Sequence, residues 1–190
     1  MKKFLTGFLL AYLVFQLSIG YSQTQPQDIP QAGWEPIFFQ EINQTTAKVK
    51  KEDLRTKPLP AEAEEIRIWI GFGRRHLEGF ILKKNKDGIK GFHLAPRGKT
   101  LEPLKSKKSD LERLWDDLAV QGFFTLPDAS KLEGELQVLD GTSYVVEIQN
   151  GQGYRTYHYS NPAYQPWSEA KKFLESIKLI RKEFGIKTEE

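Results

Sequence analysis

The chain has 190 residues, a net charge of +3 and no cysteine. A charge so close to balance gives no electrostatic case for nucleic acid, whose binding is dominated by phosphate neutralisation. Without cysteine there are no disulfides and no lipid attachment at a signal-peptide thiol, so stability rests on a buried core, which a folded part of about 120 residues is long enough to form.

Met1–Ser22 reads as a separate object. Lys2 and Lys3 precede an apolar run from Phe4 to Leu17, and Gly20 and Ser22 are small residues where a signal peptidase cuts. A charged start, a short apolar core and a small-x-small exit describe a secretory signal peptide, with Gln23 as the first mature residue. The competing reading is a retained anchor, but a spanning helix needs about 20 predominantly apolar residues, and this run is shorter and carries Thr6 and Gln16. Contact with a membrane is thus expected only through this segment, if uncleaved. Export without cysteine suits a bacterial envelope, periplasmic or secreted, better than a small eukaryotic scaffold, which relies on disulfide staples.

Residues 23–64 read as an N-terminal arm and linker. Gln23–Gln31 is polar and proline-bearing, a flexible spacer. Gly33–Ile42 contains Trp34, Ile37, Phe38 and Phe39, too apolar to stand in water, so this arm either docks on the domain or meets a partner; docking is favoured because exposed apolar patches are rare. Asn43-Gln44-Thr45 has the form of a glycosylation sequon. Ala47–Glu65 reads as a charged connector.

The domain proper is expected over residues 65–186. Ile66, Ile68, Ile70 and Phe72 alternate with Glu65, Arg67, Trp69 and Gly71, the period of a half-buried strand. Gly79–Lys84 and Ile89–Leu94 predict two further strands around the turn residues Asn85–Gly88. Ser109–Gln121 predicts a helix, with Ser109 and Glu112 as a capping box, Leu111, Leu114, Trp115 and Leu118 as an apolar stripe, and Gly122 as its left-handed terminator. A last helix begins near Pro166 and ends at Phe184, burying Ala170, Phe173, Leu174, Ile177 and Ile180. Strand, hairpin, helix, hairpin, helix predicts an α+β fold: a roughly five-stranded antiparallel sheet with two helices packed on one face.

The second hairpin is the stretch around which the rest is organised. Thr142–Ile148 and Tyr154–Tyr159 are rich in β-branched and aromatic residues, and Asn150-Gly151 between them favours a tight turn. A two- or four-residue turn sets Arg155, Tyr157 and Tyr159 on one face with Tyr144, Val146 and Ile148, leaving Tyr154, Thr156 and His158 on the other, more exposed one. A three-residue turn swaps the pairing and puts Glu147 beside Arg155. Ordinary cross-strand packing accounts for such aromatics. The functional reading is a binding surface made of Tyr154, Arg155, Tyr157, His158 and Tyr159, an aromatic platform with a guanidinium suited to a protein, peptide or glycan. Arg74 and Arg75, beside His76 in a glycine-bearing loop, are further candidates, for an anion; the bland reading is a solvated turn.

No other chemistry is encoded at short range. His76, His93 and His158 form no metal-ligand spacing, and no metal or cofactor is implied. There is no G-x-S-x-G elbow, no complete dinucleotide glycine pattern around Gly71-Phe72-Gly73, and no spacing that singles out a carboxylate pair. The run Asp140–Ile148 (DGTSYVVEI), followed by Gly153-Tyr154-Arg155 and Asn161-Pro162, resembles uncharacterised exported bacterial domains with a similar D-G-T-x-aromatic hairpin. The resemblance covers the last third of the chain; it implies a compartment and an α+β shape, and no chemistry. The expectation is an exported, non-catalytic binding or interaction protein of the bacterial cell envelope. The alternative is an envelope hydrolase whose site is assembled from distant residues, with His158 as base.

Overall fold

In the strand Glu64–Ile70, every residue from Glu65 to Ile70 is buried, including the charged Glu65 and Arg67. Only a strand covered on both faces buries both of its alternating rows. The computed structural model shows why, and describes residues 26–72 and 76–186; Met1–Ser22, Arg74 and Arg75 lie outside the described residues.

The strands are β1 (Gln27–Asp28), β2 (Glu64–Ile70), β3 (Glu78–Asn85), β4 (Gly88–Leu94), β5 (Glu102–Pro103), β6 (Ser143–Asn150) and β7 (Gly153–Ser160), and the helices α1 (Glu35–Lys48), α2 (Lys108–Val120) and α3 (Ser168–Glu183). The sheet is seven-stranded and mixed, in the order β1-β7-β6-β2-β3-β4-β5, with β1 parallel to β7. This corrects the expectation of a five-stranded antiparallel sheet with two helices on one face. The additions are the two-residue edge strands, too short to show a period, and α1, whose buried row Glu35, Phe39, Ile42 and Thr46 is half polar and so shows no apolar stripe.

The first face carries the main core. Ile66, Ile68, Phe80, Leu82, Val146, Ile148, Tyr157 and Tyr159 meet Leu111, Leu114, Trp115 and Leu118 of α2 and Ala170, Phe173, Ile177 and Ile180 of α3. The expected apolar stripes are therefore buried, Trp115 among them, except that Leu174 is only half-buried. Gly122 ends α2 with φ +73°. The capping box does not form: α2 starts at Lys108 with Lys107 as its cap residue, so Ser109 sits two positions too deep, and Glu112 instead faces Lys108 at 3.9 Å. The last helix likewise starts at Ser168, two residues beyond Pro166.

The second face is covered by the arm. Phe39 and Ile42 of α1 pack on Trp69, Phe72, Leu77, Leu94 and Val145, with Trp34 and Phe38 beside them. Glu35 holds the entry to α1, its carboxylate accepting hydrogen bonds from the backbone N–H groups of Ala32 and Gly33, both at 2.8 Å. The connector after α1 is also folded: Leu54 is fully buried, and Arg55 pairs with Asp53, donates to Asn43 Oδ1 at 2.7 Å and stacks over Phe39 at 4.2 Å. The arm therefore docks on the domain.

The β7 edge is closed in the same way. The Tyr154 N–H donates to Pro26 O at 2.9 Å, and the His158 N–H donates to the Asp128 carboxylate at 2.8 Å. An open edge strand invites pairing with other chains, and these two contacts occupy it. The approach of Pro26 leaves no room for a side chain at residue 153, where glycine also supplies φ +137°.

Candidate functional site

The hairpin register follows the two-residue turn. Tyr144 faces Tyr159, Val146 faces Tyr157 and Ile148 faces Arg155, while Asn150 and Gly153 close the loop. Tyr157 and Tyr159 are fully buried, and their hydroxyls donate to Phe123 O at 2.8 Å and Pro127 O at 3.0 Å. The Arg155 guanidinium is spent on the carbonyls of Phe124 and, at 2.8 Å, Leu126. One row of the supposed platform thus staples the segment after α2 to the sheet, and burial pushes the Tyr157 and Tyr159 phenols far above their ordinary range.

The other row is not exposed either. Tyr154 is buried and donates to Glu147 Oε1 at 2.9 Å, while Trp69 Nε1 donates to Glu147 Oε2 at 2.6 Å. Glu147 itself is fully buried; desolvation raises its pKa against the opposing pull of Arg67 and these two donors. Arg67 bonds Glu65 Oε1 at 2.8 Å and Glu52 O at 2.7 Å, and Lys83 completes the Glu65 pair at 2.7 Å. This network lies beneath the connector, with Glu65, Arg67 and Glu147 buried and Lys83 partly exposed, and joins strand to strap. The expectation of an exposed Tyr154 fails because α1 and the connector cover the face that the sequence left open.

His158 lies in an aromatic cage, with its ring 5.2 Å from Trp34 and 5.1 Å from Phe38. Burial lowers its pKa to about 4, outweighing Asp128 and Glu35, and its Nε2 has no hydrogen-bond partner among the described residues. It is held neutral by its surroundings. His93 does meet a carboxylate, Nε2 to Glu78 Oε1 at 3.1 Å, but Arg181 also binds Glu78 and the imidazole stacks on Phe80 at 4.9 Å. Among the described residues no serine or threonine hydroxyl hydrogen-bonds either ring.

The D-G-T and N-P residues of the hairpin base form a clasp. Asn161 is left-handed with φ +48°, its Oδ1 accepts from the Thr142 N–H at 2.8 Å, and its own N–H donates to Thr142 O at 3.0 Å. The Asn161 amide occupies the space a side chain at Gly141 would need, so only glycine fits there. Gln165 ties the same loop through Leu136, accepting at 2.9 Å and donating at 3.0 Å. The pattern is explained by closure of the hairpin.

A polar concavity lies elsewhere, between α1 and the ends of β3 and β4. It holds about 190 Å³ and is lined by Glu41, Gln44, Thr45, Lys48 and Val49 from the arm, His76 and Leu77 before β3, and Leu94, Arg97 and Gly98 after β4. Leu77 and Leu94 are buried and form an apolar floor, whereas Lys48, His76 and Arg97 are exposed on the rim. Neither Lys48 nor Arg97 forms an ion pair with a described residue. His76 brings one end of the suspected Arg74–His76 loop to the wall.

Arg97 is held at φ +67° in the turn Ala95–Gly98, closed by Gly98 N–H to Ala95 O at 2.7 Å. Proline at the second position and positive φ at the third is a type II pattern, and the third position normally calls for glycine. Arginine there costs about 1–2 kcal/mol of backbone strain. The sequence reading passed over Lys48 and Arg97. The available signal was Pro96-Arg97-Gly98, a turn whose glycine stands one place late.

No protein-family model matches the chain, and no curated protein matches it. Among the described residues no helix is long and apolar enough to cross a membrane.

Proposed function

We propose that the protein is an exported, non-catalytic binding or interaction protein of the bacterial cell envelope, acting in the periplasm or after secretion. The observation that carries this reading is the cleft beside α1: an apolar floor rimmed by cations that have no ion-pair partner among the described residues. Met1–Ser22 supports export by its sequence. The hydrolase alternative has the Glu78–His93 pair in its favour, but that carboxylate is shared with Arg181, and among the described residues no serine or threonine hydroxyl hydrogen-bonds the ring.

Two measurements test the proposal together. Cell fractionation with intact-mass analysis should find the chain beginning at Gln23 outside the cytoplasm. Co-sedimentation with isolated envelope fractions should be saturable and should weaken in Lys48→Glu. A cytoplasmic, uncleaved chain, absence of saturable binding to every fraction, or turnover of ester or glycoside substrates would contradict it.

A further inference from the structure

We infer that the cleft beside α1 binds a carboxylate carried on a small apolar body, the chemistry of a peptide C-terminus ending in an aliphatic residue, with Arg97 as its anchor. This rests on the reading of the protein as a binding module and names what it binds.

The argument starts from charge. Lys48 and Arg97 are permanent cations on the rim, and Glu41 is the one carboxylate among the described lining residues. Both cations are without an ion pair among the described residues, so their donors are available. A guanidinium presents two parallel N–H groups to a carboxylate, a geometry that ammonium lacks.

The floor adds the second requirement. Leu77 and Leu94 close the bottom of the cleft and Val49 lines its side, so a bare anion would leave apolar surface facing water. A volume of about 190 Å³ is below the roughly 300–1,000 Å³ of sites that take up a whole small molecule. The space fits one end group of a larger ligand. Gln44 and Thr45, one turn before Lys48, offer an amide and a hydroxyl for the last peptide unit.

The backbone supplies the independent observation. Position 97 takes a left-handed φ that glycine adopts without strain, yet it carries the longest cationic side chain available. A strained residue at the mouth of a cleft points to a role outside the fold, since folding alone favours its replacement. Arg97→Gly should therefore relax the turn while removing the anchor. Stability and binding then move in opposite directions, an outcome that a purely structural arginine does not give.

The test uses the purified, exported chain, titrated with N-acetylleucine, N-acetylleucinamide and acetate, and followed by amide NMR and thermal melting. N-acetylleucine should give saturable shifts at Leu77, Leu94 and Gly98. The amide, lacking the charge, and acetate, lacking the apolar body, should each bind about tenfold or more weakly. Arg97→Gly should melt no lower than the parent and lose the N-acetylleucine response; Lys48→Gln, at an exposed helical position, should weaken it with the melting temperature unchanged. Equal binding of acid and amide, equal binding of acetate, absence of saturable shifts, or an Arg97→Gly variant that binds like the parent would overturn the assignment. Were the probes to fail while co-sedimentation with envelope fractions persisted, the ligand class alone would fall; loss of both would remove the binding reading with it.

Discussion

The two faces of the sheet are built by opposite means. Under α2 and α3 the contact is mainly apolar, from Ile66 and Phe80 to Phe173 and Ile180, with the Arg181–Glu78 pair at its margin. Under α1 and the connector, Phe39, Ile42, Val145 and Leu94 cover one end, and the other end is ionic, with Glu65, Arg67 and Glu147 buried among Lys83, Trp69 and Tyr154. The first face gains stability from area removed from water. The second exchanges part of that gain for directed bonds, because a buried charge is tolerated only while its partners stay in place. Specific partners fix one position for the strap, and a fixed strap fixes α1, which forms a wall of the cleft.

The largest expected effect belongs to the apolar face. Trp115→Ala removes a buried indole and should cost about 3–5 kcal/mol in thermal unfolding; an unchanged melting curve would mean that the face contributes little. On the ionic face, Arg67→Met should cost about 3–4 kcal/mol, because Glu147 and half of Glu65 are left without their buried cation. Urea titration measures it, and a neutral result would show that the network is no more than passively tolerated.

The next test uses pH. His158 titrates at about 4 in the fold against 6.5 when unconstrained. The unfolded chain therefore takes up the proton first: this contribution is full above pH 6.5 and is lost as pH falls toward 4, by up to about 3 kcal/mol. In His158→Leu the decline across that window should flatten relative to the parent, while carboxylates held low by their partners, such as Glu65 and Asp53, still drive loss at more acidic pH. An identical profile in both proteins would place the imidazole in water. The smallest effect is expected at Glu35→Ala, about 1 kcal/mol for two lost backbone bonds at the start of α1, read from its melting temperature.

The contrast between faces also explains what could be read from the sequence. The apolar stripes of α2 and α3 and the register of the second hairpin follow from periodicity, since Leu111, Leu114, Trp115 and Leu118 have one consistent environment. The second face was hidden by its own charges. Glu65 and Arg67 alternate with isoleucines as solvent-facing residues do, and nothing local distinguishes a charge in water from one that will meet Lys83 or the carbonyl of Glu52, far along the chain. For the same reason Tyr154 and His158 read as exposed. The cleft was the least legible part, because Lys48 and Arg97 meet only through the packing of α1 against the sheet. Only the misplaced glycine of Pro96-Arg97-Gly98 marked it.

The central claim is that residues 26–57 are a permanent layer of the fold, so that α1 is a fixed wall of the cleft. Native-state amide hydrogen exchange tests it most directly. The N–H groups of Phe39, Ile42 and Thr46, all buried positions of α1, should exchange with protection within about 1 kcal/mol of β2 and β6, opening only when the whole molecule unfolds. Exchange of those amides at the rate of an unstructured peptide, with β2 and β6 still protected, would contradict the account.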